Sequence, residues 1–83
     1  MDTYDTLRVI LEETLQIGDR AQSLDADTPL LGHLPELDSM AVVEVVTSIE
    51  VKFSITVHDD EVNAEVFESF GSLAAFIDEK RQA

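Results

Sequence analysis

Apolar and polar positions alternate along this chain with a helical period in four places. From Thr3 to Ile17, Leu7, Ile10, Leu11, Thr14 and Leu15 recur three and four residues apart, which is the spacing of one helix face. Gly18 stands where a helix end favours a residue free to take left-handed backbone, and it predicts the stop. Ser39 to Phe53 contains neither Gly nor Pro, follows Asp38, and puts Val42, Val45, Val46, Ile49 and Phe53 on one stripe of a second helix. Its valines are poor helix formers, so packing rather than propensity has to hold it. After the β-branched link Ser54 to Val57, the cluster Asp59, Asp60 and Glu61 suits the positive end of a short third helix reaching about Phe67. Ser69 predicts the cap of a fourth helix with Phe70, Leu73, Phe76 and Ile77 inward, ending on Lys80 and Arg81, where cations favour the helix dipole.

Between the first two helices, residues 18 to 38 mix Asp, Ser, Thr, two prolines and Gly32 with Leu24, Leu30, Leu31, Leu34 and Leu37. That composition predicts a long loop whose leucines tuck against the helices, and loops of this length in compact domains tend to be functional. The expected fold is all-α: a small bundle of three main helices plus a short one, with a long first loop, as one domain over residues 1–83. At 83 residues there is room for one modest core and hardly for a substrate cleft with a second lobe.

Composition narrows the partners. Eighteen Asp and Glu against five Lys and Arg give a formal charge of −13, which argues against nucleic acid and anionic membranes and for basic protein surfaces. The absence of cysteine removes disulfides, thiolate metal sites and a cysteine nucleophile. No apolar run approaches the roughly 20 residues that span a bilayer, and no basic-then-apolar signal opens the chain, so a cytoplasmic monomer is expected.

Two features of the second helix carry candidate chemistry. Beside its inward stripe it has another, Met40, Val43, Thr47 and Val51, edged by Glu44 and Glu50. Such a stripe serves either a central helix packed on both sides or a docking face with an apolar middle and an acidic rim. Ser39 stands where the long loop meets the helix. There, free N–H groups and the dipole favour an attached phosphate, but an Asp-Ser pair in that place can equally be a plain helix N-cap.

The residues around Ser39 decide between these readings by resemblance. Leu37-Asp38-Ser39-Met40 resembles the attachment signature of acyl carrier proteins. Thr28-Pro29-Leu30 with Gly32 is similar to the family's preceding loop, and Ile49-Glu50-Val51-Lys52-Phe53-Ser54-Ile55 to its helix exit. Asp59-Asp60-Glu61, Gly71-Ser72-Leu73 and Phe76-Ile77 resemble its last two helices, so nearly the whole chain is covered in register. The resemblance implies a freestanding carrier without catalysis of its own. A phosphopantetheinyl transferase would attach 4'-phosphopantetheine covalently to Ser39, with Asp38 helping to position the transferase and its magnesium. Met40, Val43, Glu44, Thr47 and Glu50 would form the face read by acyl-loading, condensing and acyl-transfer enzymes with basic docking patches, in fatty acid, polyketide or related biosynthesis. Val42, Val46, Ile49 and Phe53 would line a shelter for a short acyl chain. Two positions depart from the family pattern: Glu36, after Pro35, stands where glycine is frequent, and His58 where proline is frequent.

Other readings fit less well. Asp25, Asp27 and Glu36 occupy positions one, three and twelve of a calcium loop, but Leu30 holds the position that needs glycine and Pro29 precedes it. A serine hydrolase would pair Ser39 with His33 or His58, yet no Gly-x-Ser-x-Gly elbow surrounds the serine. Asp59 and Asp60 read as solvated helix-start charges rather than an acid/base pair. A peptidyl or aminoacyl carrier shares the plan, but its motif more often reads Gly-Gly-His-Ser or Gly-Gly-Asp-Ser. An acidic interaction module would keep the docking stripe without needing Ser39.

Overall fold

In the computed structural model, which describes residues 3–32 and 34–82 and all their side chains except that of Asp59, the helical pattern becomes three α-helices: α1 (Thr3–Leu15), α2 (Ser39–Phe53) and α3 (Phe70–Gln82). Two 3-10 turns, Gly18–Ser23 and Asp59–Glu61, complete the helical elements among the described residues. The core follows the predicted faces in part: of the α2 stripe, Val45 and Ile49 are buried, whereas Val42, Val46 and Phe53 are half-buried and pack against its edge. Leu7, Ile10, Leu11 and Leu15 of α1 meet Val45 and Ile49 of α2 and Phe70, Leu73 and Ile77 of α3, all of them buried. Ala41 and Ala74 are buried with them.

Where the helices stop differs in detail from the expectation. α1 ends one turn earlier than Gly18: Gln16 takes the left-handed conformation itself, with φ +55°, and Gly18 opens the first 3-10 turn with φ +59°. α2 closes on Ser54 with φ +56°, its N–H returning to the Glu50 carbonyl. The third helix shrinks to the single 3-10 turn Asp59–Glu61, followed by irregular turns to Phe67. Its capping is nevertheless complete, since the Glu61 carboxylate accepts the His58 N–H at 2.9 Å while the Glu61 N–H reaches the His58 carbonyl at 2.9 Å. The same carboxylate takes both bonds of Lys80, at 2.8 and 2.7 Å, and so ties the turn to α3. The Lys80 hydrogen bond, then that of the His58 backbone, holds the Glu61 carboxyl below its ordinary range. The stability linked to that shift is present above the ordinary range and is lost as pH falls through the lowered value.

α3 begins as predicted. Ser69 and Ser72 exchange bonds, backbone N–H to hydroxyl, at 3.0 and 3.1 Å, a reciprocal box with serine where glutamate is commoner. Phe76, expected inward, is only half-buried, and Ala74 takes the inward place instead. The long loop buries Leu24, Leu30, Leu34 and Leu37, whereas Leu31 stays 45% exposed. Main-chain bonds zip this loop to the start of α3: Leu30 and Leu31 donate to Glu68 and Phe67, Phe70 donates to Thr28, and Gly71 to Ala26, all at 2.9–3.1 Å.

The last of these bonds leaves no room at Gly71. A Cβ there would lie 2.6 Å from the Ala26 carbonyl oxygen and 3.1 Å from its Cα. Gly71→Ala is therefore expected to destabilise the fold. The collision with backbone, worth roughly 1–3 kcal/mol, outweighs the roughly 1 kcal/mol that alanine gains as a helix former. A lower thermal midpoint checks this; a raised one would mean that the loop yields freely at Ala26.

Candidate functional site

The start of α2 is built by Asp38. Its backbone is extended and its Oδ1 accepts the Ala41 N–H at 2.9 Å, while its carbonyl accepts the Val42 N–H at 2.9 Å. Asp38, not Ser39, is thus the N-cap, and the plain-cap reading of Ser39 is displaced. Ser39 is the first residue of the helix, exposed, and its hydroxyl has no hydrogen bond among the described residues. The N–H groups of Ser39 and Met40 precede Val42, whose N–H is the first to find an acceptor in the helical ladder. The first turn of α2 contains no carboxylate, so the positive end of the dipole is weakened only by the adjacent Asp38. An oxygen here that is free, solvated and beside unpaired donors fits a phosphodiester.

The second stripe of α2 has no packing partner among the described residues. Met40, Val43 and Val51 are 75%, 64% and 73% exposed, which excludes a helix packed on both sides. Thr47 is exposed as well, its hydroxyl donating back to the Val43 carbonyl at 3.0 Å, and Glu44 is exposed beside them. Glu50 differs from the expectation of a simple rim charge. Its Oε2 accepts the Val57 N–H at 3.0 Å and ties the segment after α2 back onto the helix.

That tie creates a groove. Val42, Val46, Val57 and Val62, with Val43, Thr47 and Glu50 at its edge, enclose about 300 Å³, and a smaller hollow of about 140 Å³ continues past Val42 and Val62 to Leu31 and Phe67. Val42 lies three residues after Ser39 and Val46 four further, so the serine shares a helix face with the two valines that line the groove. Of the four residues expected to line a shelter, Val42 and Val46 do so. Ile49 is buried in the core, and Phe53 lines a separate polar hollow with Lys80 and Arg81, its ring 5.3 Å from the Arg81 guanidinium carbon. The walls missed in the sequence are Val57 and Val62; their signal was an apolar residue on either side of the acidic turn.

The remaining candidates are dispersed. His58 follows the C-terminal end of α2, separated from Ser39 by a helix roughly 20 Å long; His33 lies outside the described residues. Asp25 spends its carboxylate on its own turn, accepting from the Asp27 N–H and the Thr28 hydroxyl at 3.0 Å, and Glu36 pairs with Arg20. Nor does Glu36 need the freedom of glycine, since Gln16 and Ser54 are the non-glycine residues with positive φ among those described. No helix among the described residues is long and apolar enough to cross a membrane.

Comparison with known proteins agrees with this arrangement. Residues 5–77 match the model of the family described as "Phosphopantetheine attachment site". An acyl carrier protein of Helicobacter hepaticus is 31% identical over 78 residues, 94% of this chain and 96% of its own. The solution NMR structure of a holo acyl carrier protein from Nitrosomonas europaea is similar over 100% of both chains, with a TM-score of 0.92 and 46% identity. With a free serine at a capped helix start, an unpartnered acidic-rimmed face and relatives that match over their full length, the chain belongs to the acyl carrier protein family, whose members bear covalent phosphopantetheine and are carriers rather than enzymes.

Proposed function

We propose that Ser39 is the residue that bears phosphopantetheine, and that the chain uses it to present acyl groups to biosynthetic enzymes of a fatty acid, polyketide or related pathway in the cytoplasm. The observation that carries this reading is the exposed, unbonded Ser39 hydroxyl on a helix whose cap is supplied by its neighbour. The Ser39 Oγ gives up its proton and bonds the phosphorus of the pantetheine-bearing phosphate of coenzyme A, and the nucleotide half leaves. When attached, the arm supplies a terminal thiol that holds an acyl group as a thioester. The first-turn N–H groups of α2 stabilise the phosphodiester charge. Val42, Val46, Val57 and Val62 offer a short acyl chain an apolar surface away from water. Met40, Val43 and Thr47 give the partner enzyme an apolar contact, and Glu44 steers its basic surface. The protein's own contribution is tethering, which raises the effective concentration of the cargo at each docked enzyme.

Intact mass measurement after incubation with a broad-specificity phosphopantetheinyl transferase and coenzyme A tests this. The mass of one phosphopantetheine is expected to appear. No gain, under conditions that modify a control carrier, would remove the reading.

Charge reversal tests the docking face, and Glu44 is the position to use, because reversal at Glu50 would also release Val57. Glu44→Lys is expected to slow association with a basic partner enzyme at low salt by roughly threefold to tenfold, with the thermal midpoint unchanged. An unaltered association rate would place the docking surface elsewhere.

A further inference from the structure

Glu36 has a role that neither the fold nor the attachment chemistry has used. Its Oε2 accepts from the Arg20 guanidinium on the first 3-10 turn, and its Oε1 is buried without a hydrogen-bond partner among the described residues. Arg20 is anchored on the far side, where its backbone N–H and its Nε both point to the Ile17 carbonyl, at 3.2 and 3.5 Å. On the near side, the Glu36 carbonyl accepts the Asp38 N–H at 3.1 Å, and Asp38 caps α2 through Ala41. A continuous chain of polar contacts therefore runs from the end of α1, through Arg20, Glu36 and Asp38, to the turn that carries Ser39.

We propose that Arg20 and Glu36 are a positioning pair for arm attachment, holding the Glu36-Leu37-Asp38 turn in the conformation that presents the Ser39 hydroxyl to the transferase. This rests on Ser39 being the attachment residue. The pair is badly placed to hold the fold as a whole. Its side chains are 51% and 32% exposed, and ion pairs so exposed add little to global stability. Leu34 and Leu37 are buried on either side of Glu36 and hold the segment to the core independently of its carboxylate. What the pair does restrict is the turn between them, which has few other ties: Leu37 to the Leu34 carbonyl at 3.0 Å and Asp38 to that of Glu36. Without Arg20, the half-buried Glu36 carboxylate loses its one neutralising contact in the structure and is driven toward water, and the turn is free to follow it. The Arg20 hydrogen bond, as the largest influence, also holds the Glu36 carboxyl below its ordinary range.

The test uses Arg20→Ala, Glu36→Ala, the double variant, and the exchange Arg20→Glu with Glu36→Arg. Each is an acceptor for a broad-specificity transferase with coenzyme A. Each single variant is expected to lower kcat/KM for the carrier by about threefold, the scale of a part-exposed ion pair. The double variant should be no worse than either single, and the exchange should restore most of the loss. Exchange of the Leu37 and Asp38 amides, the two bonded N–H groups of the turn, with deuterium should quicken in the single variants and slow again in the exchanged one, with thermal midpoints nearly constant. Unchanged kinetics in the single variants would overturn the proposal. So would losses that add in the double variant, or a loss confined to Arg20→Ala, which would make Arg20 a direct contact of the transferase. A wild-type chain that takes no arm would instead overturn the assignment of Ser39.

Discussion

Ser39→Ala is expected to remove all phosphopantetheine uptake while leaving the fold as stable as the wild type. Both halves of that result follow from the start of α2. The Ser39 oxygen is the only atom of that side chain able to bond phosphorus, and no other residue of the Leu37-Asp38-Ser39-Met40 stretch carries a hydroxyl. Stability is untouched because the hydroxyl supports nothing: the cap bond to Ala41 comes from Asp38. An exposed serine without such a bond falls in the class of surface substitutions that stay within about 0.5 kcal/mol. Asp38→Ala is the instructive contrast, since loss of a cap costs roughly 0.5–2 kcal/mol. Intact mass and a thermal melt of the two variants separate the roles. A Ser39→Ala chain that still gained mass would move the attachment site, and one that melted like Asp38→Ala would return Ser39 to the status of a cap.

Phe70→Ala is expected to have the largest effect on stability. Phe70 is wholly buried at the start of α3, its ring 5.3 Å from that of Tyr4 and 5.4 Å from the Arg8 guanidinium carbon, so it joins the first and last helices. Truncating a buried phenylalanine costs about 3–5 kcal/mol, against a total stability of roughly 5–15 kcal/mol for a domain. For a chain of this size the thermal midpoint should fall by at least about 12 °C. The Phe70 N–H bond to Thr28 survives the change, so the loss reports on the ring alone. Phe76→Ala is the internal control, because Phe76 is half-buried and should cost clearly less. Equal losses at the two positions would mean that α3 is rotated from the packing described.

The two predictions differ in how much of them could be read from the residues. That Phe70, Leu73 and Ile77 face inward follows from their spacing, because a helix has a fixed period and the apolar face has one place to go. The same holds for Leu7, Ile10, Leu11 and Leu15. The attachment signature around Ser39 was equally legible, being contiguous in the chain. The choice of Gln16 rather than Gly18 to end α1 was not, nor the collapse of the third helix into a 3-10 turn, since element ends depend on which neighbours satisfy their last polar groups.

What the sequence determined by itself was the class of protein and three of its helices, each carried by local period or local motif. The cap of α2 by Asp38 rather than Ser39 is a local choice, since its bond reaches only three residues along to Ala41. The tertiary structure alone decided that the second stripe has no partner among the described residues, that Glu50 holds Val57 beside a groove, and that Glu36 meets Arg20 from sixteen residues away. The reason is common to these three. A hydrogen bond or a contact depends on where distant segments come to rest, and in a chain with eighteen carboxylates only the folded packing selects which few of them find a partner.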